Sequence, residues 1–161
     1  MEGIFENTFL NVKNNSKTIV ANVRLEGNDK GIILCQGGKF GGWALYMNNG
    51  KPAYTYNYFG LERYTVESSK AIKSPNAEIK LEFTYDGGGT GKGGVAKLFI
   101  DGEQVAEGRI DKTQPAVFSA DETADVGLDD ATQVADLVFK DVHDSEFTGY
   151  VEKVEIRIPE N

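Results

Sequence analysis

The chain has 161 residues, 40% of them hydrophobic, and carries a formal net charge of −8 with a single cysteine. That length suits one domain, residues 1–161, with enough apolar content for a real core. The charge sets nucleic acid aside as a partner, no apolar run reaches the ~20 residues of a membrane helix, and Cys35 alone makes no internal disulfide.

Strand patterns dominate from the N-terminus onward. The start, "MEGIFENTFLNVK", lacks a basic stretch followed by an apolar one, so no signal peptide is expected. "KTIVANVRLE" alternates Ile19, Ala21, Val23 and Leu25 with mostly polar neighbours. "GIILCQ" is a short continuous apolar run, the mark of a buried strand, and it makes Cys35 a core thiol in preference to a nucleophile. "GWALYMNNGKPAYTYNYF" is predicted to be a hairpin turning at Asn49-Gly50, since both residues tolerate positive φ. That turn sets Met47 against Pro52, Leu45 against Tyr54 and Trp43 against Tyr56. "EIKLEFTY" alternates again, "VAKLFIDGEQVAEGRI" is predicted to turn at Asp101-Gly102, and "YVEKVEIRI" supplies a last strand. The best helical candidate, "DDATQVADLVF", is short. Many strands joined by Gly- and Asn-rich turns predict an all-β, antiparallel two-sheet sandwich.

Between two of these strands lies "YDGGGTGKGG", a glycine run that carries a lysine. A phosphate-binding loop needs G-x-x-x-x-G-K-[ST] opening a helix. Around Gly91-Lys92 the first glycine position is Asp86, the hydroxyl position is Gly93, and a strand follows. The run is therefore expected to be an exposed connection, Asp86–Gly94, that binds no nucleotide and tolerates alanine at Gly88, Gly89 and Gly91.

Four groups of residues are candidates for chemistry. Trp43, Tyr54, Tyr56 and Tyr58 share one hairpin face with Leu45 and Met47. Such a face could stack on sugar rings, but its aliphatic members favour core. The acidic segment from Asp121 to Glu146 holds Asp121, Glu122, Asp125, Asp129, Asp130, Asp136, Asp141, Asp144 and Glu146 against Lys140 alone. Asp125 and Asp129 flank "VGL" and are the candidate calcium ligands, with a solvated acidic face as the simpler reading. Glu103 and Glu107 would share one face of a regular strand, but no third acid completes a glycosidase set. His143, the sole histidine, lies in "DVHDSEF", which has the look of a solvated loop, and no spacing suggests zinc or copper.

Four longer stretches carry a resemblance. "GGKFGGWALYMNNGKPAYTYNYFGLERYTV", "FTYDGGGTGKGG", "KTQPAVFSADETADVG" and "FTGYVEKVEI" closely resemble, in order, the C-terminal region of bacterial arylsulfatases of the type-I sulfatase family. The resemblance runs from about Asn11 to Ile158 and implies a concanavalin A-like, or laminin G-like, jelly roll. The pattern F-x-G-x-[IV]-x-x-V-x-I, Phe147 to Ile156, resembles the last strand of that fold. By this resemblance the chain is an accessory domain that packs on a catalytic sulfatase domain, or alternatively a carbohydrate-binding module for sulfated glycans, in a periplasmic or secreted protein. It is not expected to be an enzyme. Sulfatases carry C-x-P-S-R or S-x-P-S-R, whereas Cys35 is followed by Gln36, Gly37, Gly38 and Lys39. After "DVGLDD" relatives continue with a Gly-Thr-Pro-Val type of turn, where this chain has Ala131, Thr132, Gln133 and Val134.

Overall fold

The structure is a computed structural model that describes residues 4–5, 12–116, 118, 123–130 and 132–159. Two antiparallel sheets pack face to face. The first contains, in spatial order, β1 (Ile4–Phe5), β10 (Thr123–Val126), β3 (Gly31–Gly38), β4 (Gly41–Asn48), β5 (Lys51–Tyr58) and β6 (Glu62–Glu67). The second contains β11 (Tyr150–Arg157), β2 (Lys17–Arg24), β7 (Asn76–Tyr85), β8 (Gly94–Ile100) and β9 (Glu103–Ile110). This is the predicted two-sheet sandwich.

Both predicted hairpins form with the predicted turns. Asn49 and Gly50 have φ of +49° and +85°, and Trp43, Leu45 and Met47 pair with Tyr56, Tyr54 and Pro52. Asp101 and Gly102 turn β8 into β9 with φ of +48° and +84°.

The period-2 strands of the second sheet turn Ile19, Ala21, Val23, Ile79, Leu81, Phe83, Ala96 and Leu98 inward. They meet Ile33, Leu34, Trp43, Leu45, Met47, Tyr54 and Tyr56 of the first sheet in one core. Each Val, Leu, Ile, Phe or Met side chain among them, fully buried, contributes about 1.5–3 kcal/mol.

The first sheet is buried on its other face as well, which explains the continuous "GIILCQ" run. Residues 132–147 fold back over it, and Val134, Ala135 and Phe139 cover Ile32, Cys35, Ala44, Tyr46 and Ala53. Phe139 meets Tyr46 edge to face, with ring centroids 5.4 Å apart at 80°. A register shift between Ile32 and Leu34 interrupts the alternation of β3. Ile33 and Leu34 thereby join the core between the sheets, while Ile32 and Cys35 join the outer cluster.

This covering segment departs from the sequence expectation. Within "DDATQVADLVF" residues 134–138 form turns, and the helix among the described residues is instead the single turn α1 (Val142–Ser145), in the stretch expected to be a loop. Its start is set by Asp141, whose side chain accepts the Asp144 N–H at 2.8 Å.

The glycine connection Asp86–Gly94 joins β7 to β8 and is more tightly laced than expected. The Tyr85 hydroxyl donates to Gly89 O at 2.5 Å and accepts the Lys92 N–H at 3.0 Å. Gly91 N–H donates to Asn14 Oδ1 at 2.8 Å, and Arg109 pairs with Asp86. Gly88, Gly89 and Gly91 sit at φ of +76°, +126° and +67°. Alanine resists such angles by about 1–2 kcal/mol each. The triple alanine variant is therefore expected to lose roughly 3–6 kcal/mol in urea unfolding, contrary to the tolerance expected from sequence. A midpoint equal to wild type would show the connection to be unconstrained.

Candidate functional site

The expected aromatic face belongs to the core. Trp43, Tyr54 and Tyr56 are 0%, 1% and 4% exposed, so none offers a ring face to a sugar. The physical reason is the second sheet, whose Lys17, Leu81 and Phe83 lie over the same hairpin face. Indole Nε1–H donates to Gln36 Oε1 at 3.1 Å, and the Tyr56 hydroxyl accepts the Gln114 N–H at 2.8 Å. Tyr58, at the end of β5, is half-buried and stacks edge to face on Phe59 at 4.8 Å.

The acidic segment is not a solvated face at its centre. Asp125 and Asp129 are buried, and their carboxylates lie within 4.8 Å of each other and of the Cys35 sulfur. Tertiary contacts supply the compensation that the segment itself lacks. Asp125 Oδ2 accepts the Asp130 N–H at 3.2 Å, and Asp129 Oδ2 accepts the Val134 N–H at 2.7 Å. Arg63 grips Asp136 with two hydrogen bonds of 2.9 and 2.7 Å, and Lys30 pairs with Asp144 at 2.8 Å. Asp121, Glu122 and Ala131 lie outside the described residues.

Calcium takes six to eight oxygens. A closed cluster that includes a sulfur, with two of its oxygens already held by backbone N–H groups, fits that demand poorly. Burial and the two neighbouring carboxylates push the Cys35 thiol well above its ordinary range. It is an unreactive core group, as expected.

The carboxylate pair of β9 does not share a face. The strand shifts register between the partners of Leu98 and Phe99. Glu103 is thereby opposite Ile100, and Glu107 opposite Lys97. The bulge reverses the alternation assumed from sequence. Both are exposed, and Glu103 pairs with Lys70 at 2.7 Å. His143 is 92% exposed, with Glu146 at 3.5 Å.

What the surface does display lies at the two ends of the sandwich. At one end are the β3–β4 turn and the β5–β6 turn. Phe40, Phe59 and Leu61 project there with exposures of 62%, 43% and 77%. Leu137, 79% exposed, follows Asp136, whose carboxylate Arg63 ties to the β5–β6 turn by also binding Gly60 O at 2.8 Å. Asn57 ties the same parts together, donating to Lys39 O at 3.0 Å and Val134 O at 3.1 Å. Phe59 has φ of +53°, a backbone state disfavoured for a bulky residue. Gln114 Oε1 accepts its N–H at 3.1 Å and Leu61 N–H donates to Tyr58 O at 2.9 Å, which hold the turn. Strain of this kind persists where its surroundings impose it.

At the opposite end a groove of about 570 Å³ runs past Arg24, Glu26, Pro75, Asn76 and Tyr150. Tyr150 is 59% exposed, and the Arg24 guanidinium stands 4.7 Å from its ring centroid. None of these end residues was singled out from sequence. The available signal was large apolar residues inside turns, as in "KFGG" and "YFGLERY", where polar residues are the norm.

No family model and no curated protein matches the chain. Solved structures do. One is the CBM40 of the Ruminococcus gnavus IT-sialidase bound to α2,3-sialyllactose, 19% identical at a TM-score of 0.57, covering 91% of this chain and 78% of that one. Another is domains LG4–5 of the mouse laminin α1 chain, 10% identical at a TM-score of 0.64, covering 96% and 38%. A third is the SAP-like pentraxin of Limulus polyphemus, 10% identical at 0.55, covering 96% and 73%. These are concanavalin A-like sandwich domains, and at such identities the likeness speaks for the fold. The fold implied by the resemblance is thus the fold observed.

Proposed function

We propose that this chain is a non-catalytic accessory domain that seats its Phe40–Phe59–Leu61–Leu137 end on a catalytic domain of the arylsulfatase type and shapes access to its cleft. The observation that carries this reading is the grouping of four large, exposed apolar side chains at one end, one of them on a strained backbone. Exposed large apolar groups gathered on one surface mark contact surfaces, and Phe59 is presented there on a left-handed backbone that Gln114 and Tyr58 hold in place. The sequence resemblance supplies the class of partner. The absent C-x-P-S-R motif and the lack of any nucleophile–base pair among the described residues support a non-enzymatic role.

Phe59→Asn tests the reading, because it separates docking from stability. Asparagine tolerates positive φ, so relief of strain offsets the lost ring contact, and unfolding should stay within about 1 kcal/mol of wild type. Binding to a purified bacterial arylsulfatase catalytic domain, followed by biolayer interferometry, should weaken at least tenfold. Equal binding by variant and wild type, or none by either, would remove the proposal.

A second reading, a carbohydrate-binding module, is favoured by the fold it shares with a module whose structure holds sialyllactose. The buried aromatics of β4 and β5 exclude themselves as its platform. The groove beside Tyr150 has the open ring and polar rim that such a module needs.

A further inference from the structure

We infer that the groove beside Tyr150 takes a neutral, hydroxyl-rich sugar and rejects sulfated or carboxylated ones. This rests on the carbohydrate-binding reading above and gives that reading a site and a ligand class.

The groove is built before any ligand arrives. Leu25 N–H donates to Pro75 O at 2.8 Å, which joins its two walls. Behind them, Asp29 is 2% exposed and accepts the N–H groups of Glu26 and Gly27 at 3.0 and 2.9 Å. Its other oxygen accepts the Thr148 hydroxyl at 2.9 Å, and that hydroxyl accepts the Lys30 N–H at 3.1 Å. One buried carboxylate therefore ties the loop after β2 to the residues that lead into Tyr150. A wall fixed in this way loses little freedom on binding.

The groups that face solvent suit a pyranose. Arg24 covers part of Tyr150, yet the ring keeps 59% exposure, leaving a face on which the C–H side of a sugar can lie. The Asn76 amide and the Glu26 carboxylate make no side-chain hydrogen bond among the described residues. Together they offer donors and acceptors for sugar hydroxyls at the rim.

The charges decide the ligand class. An anionic sugar is held most strongly by an Arg or Lys whose charge is not already balanced. Arg24 has its charge balanced already, with Nε 2.6 Å from Glu152 and its guanidinium 4.7 Å from the Tyr150 ring centroid. Lys30, nearby, is held by Asp144 at 2.8 Å. Glu26 adds a negative charge to the groove itself, and the chain's net charge of −8 opposes an approaching anion.

The test is titration calorimetry of the wild-type chain with neutral β-glucan, mannan and galactan hexaoses, and with 3′-sialyllactose and a heparin hexaose. A neutral oligosaccharide should bind saturably. Tyr150→Ala should weaken that binding at least tenfold with an unchanged melting point, while Tyr150→Phe, which keeps the ring, should stay within threefold. Preference for the sialylated or sulfated probe, lost in Tyr150→Ala, would overturn the ligand class and leave the carbohydrate reading standing. Binding insensitive to Tyr150→Ala would overturn the site. No heat with any probe would overturn both the inference and the reading beneath it.

Discussion

Replacing Lys17 with methionine is expected to stabilise the protein below pH 7 and to remove a rise in stability above it. Lys17 is the first residue of β2, and the inward parity of Ile19 and Ala21 carries its side chain into the sandwich. It is 4% exposed, with its ammonium 4.3 Å from the Trp43 ring centroid and 5.8–5.9 Å from those of Phe83 and Tyr54. Among the described residues it has no carboxylate partner. Burial, and then repulsion from Lys13, lower its pKa from 10.5 to about 7.

The sign follows from proton counts. Between about pH 7 and pH 10.5 the unfolded chain holds a proton that the folded chain has released. Stability therefore rises with pH across that window, and the burial cost is fully present below it. At 1.36 kcal/mol per pKa unit the rise is on the order of 4–5 kcal/mol. Attraction between the ammonium and the ring faces returns up to about 2 kcal/mol of the cost. Methionine keeps the length, drops the charge and packs its sulfur against the same rings. Lys17→Met should thus gain about 1–4 kcal/mol at pH 6. It should also lack the wild-type slope between pH 7 and 10 in urea titrations. The same slope in both proteins would show that Lys17 does not titrate in that window.

Trp43→Ala is expected to cost about 3–5 kcal/mol. The indole is 0% exposed and shares the core with Leu45, Met47, Tyr54 and Leu81. Its removal leaves a large void between two sheets whose strands are hydrogen-bonded in register and so cannot collapse around it. Gln36, 1% exposed, loses the N–H that its oxygen accepts, which adds a desolvation cost. For a chain of this size the melting point should fall by roughly 6–20 °C. Trp43 is the only tryptophan, so its emission in the wild type should be blue-shifted and unquenched by iodide. A loss under 1 kcal/mol together with ready quenching would place the ring at the surface.

Much of the fold was legible because it follows from local rules. Asn49-Gly50 and Asp101-Gly102 are turn pairs whose chemistry sets the register of their hairpins. Ile79, Leu81 and Phe83 alternate because one face of β7 is buried and the other wet. β6 and β10 were not legible. "ERYTVE" is nearly all polar at an edge, and "TADV" is four residues inside an acidic segment, so neither shows a period. The bulge in β9 was equally hidden, since one extra residue changes parity without changing composition.

The sequence by itself determined the class of fold, the two hairpins, the core thiol and the lack of a sulfatase nucleophile motif. These depend on spacing of two residues, on turn types and on the presence or absence of a short motif. Only the tertiary structure decided where the surface is. The Trp43 face became core because a second sheet, distant in sequence, lies on it. Asp125 and Asp129 became buried because residues 132–147 fold over the outer face of the first sheet, bringing a carboxylate pair beside Cys35. The turns that carry Phe40 and Phe59 are tied to the segment that carries Leu137 through Asn57 and through Arg63, which binds Asp136, 73 positions away. Tyr150 acquired its groove through the hydrogen bond of Thr148 to Asp29, 119 positions apart. Burial and adjacency of this kind are set by long-range packing, to which a local pattern of hydrophobic and polar residues is blind.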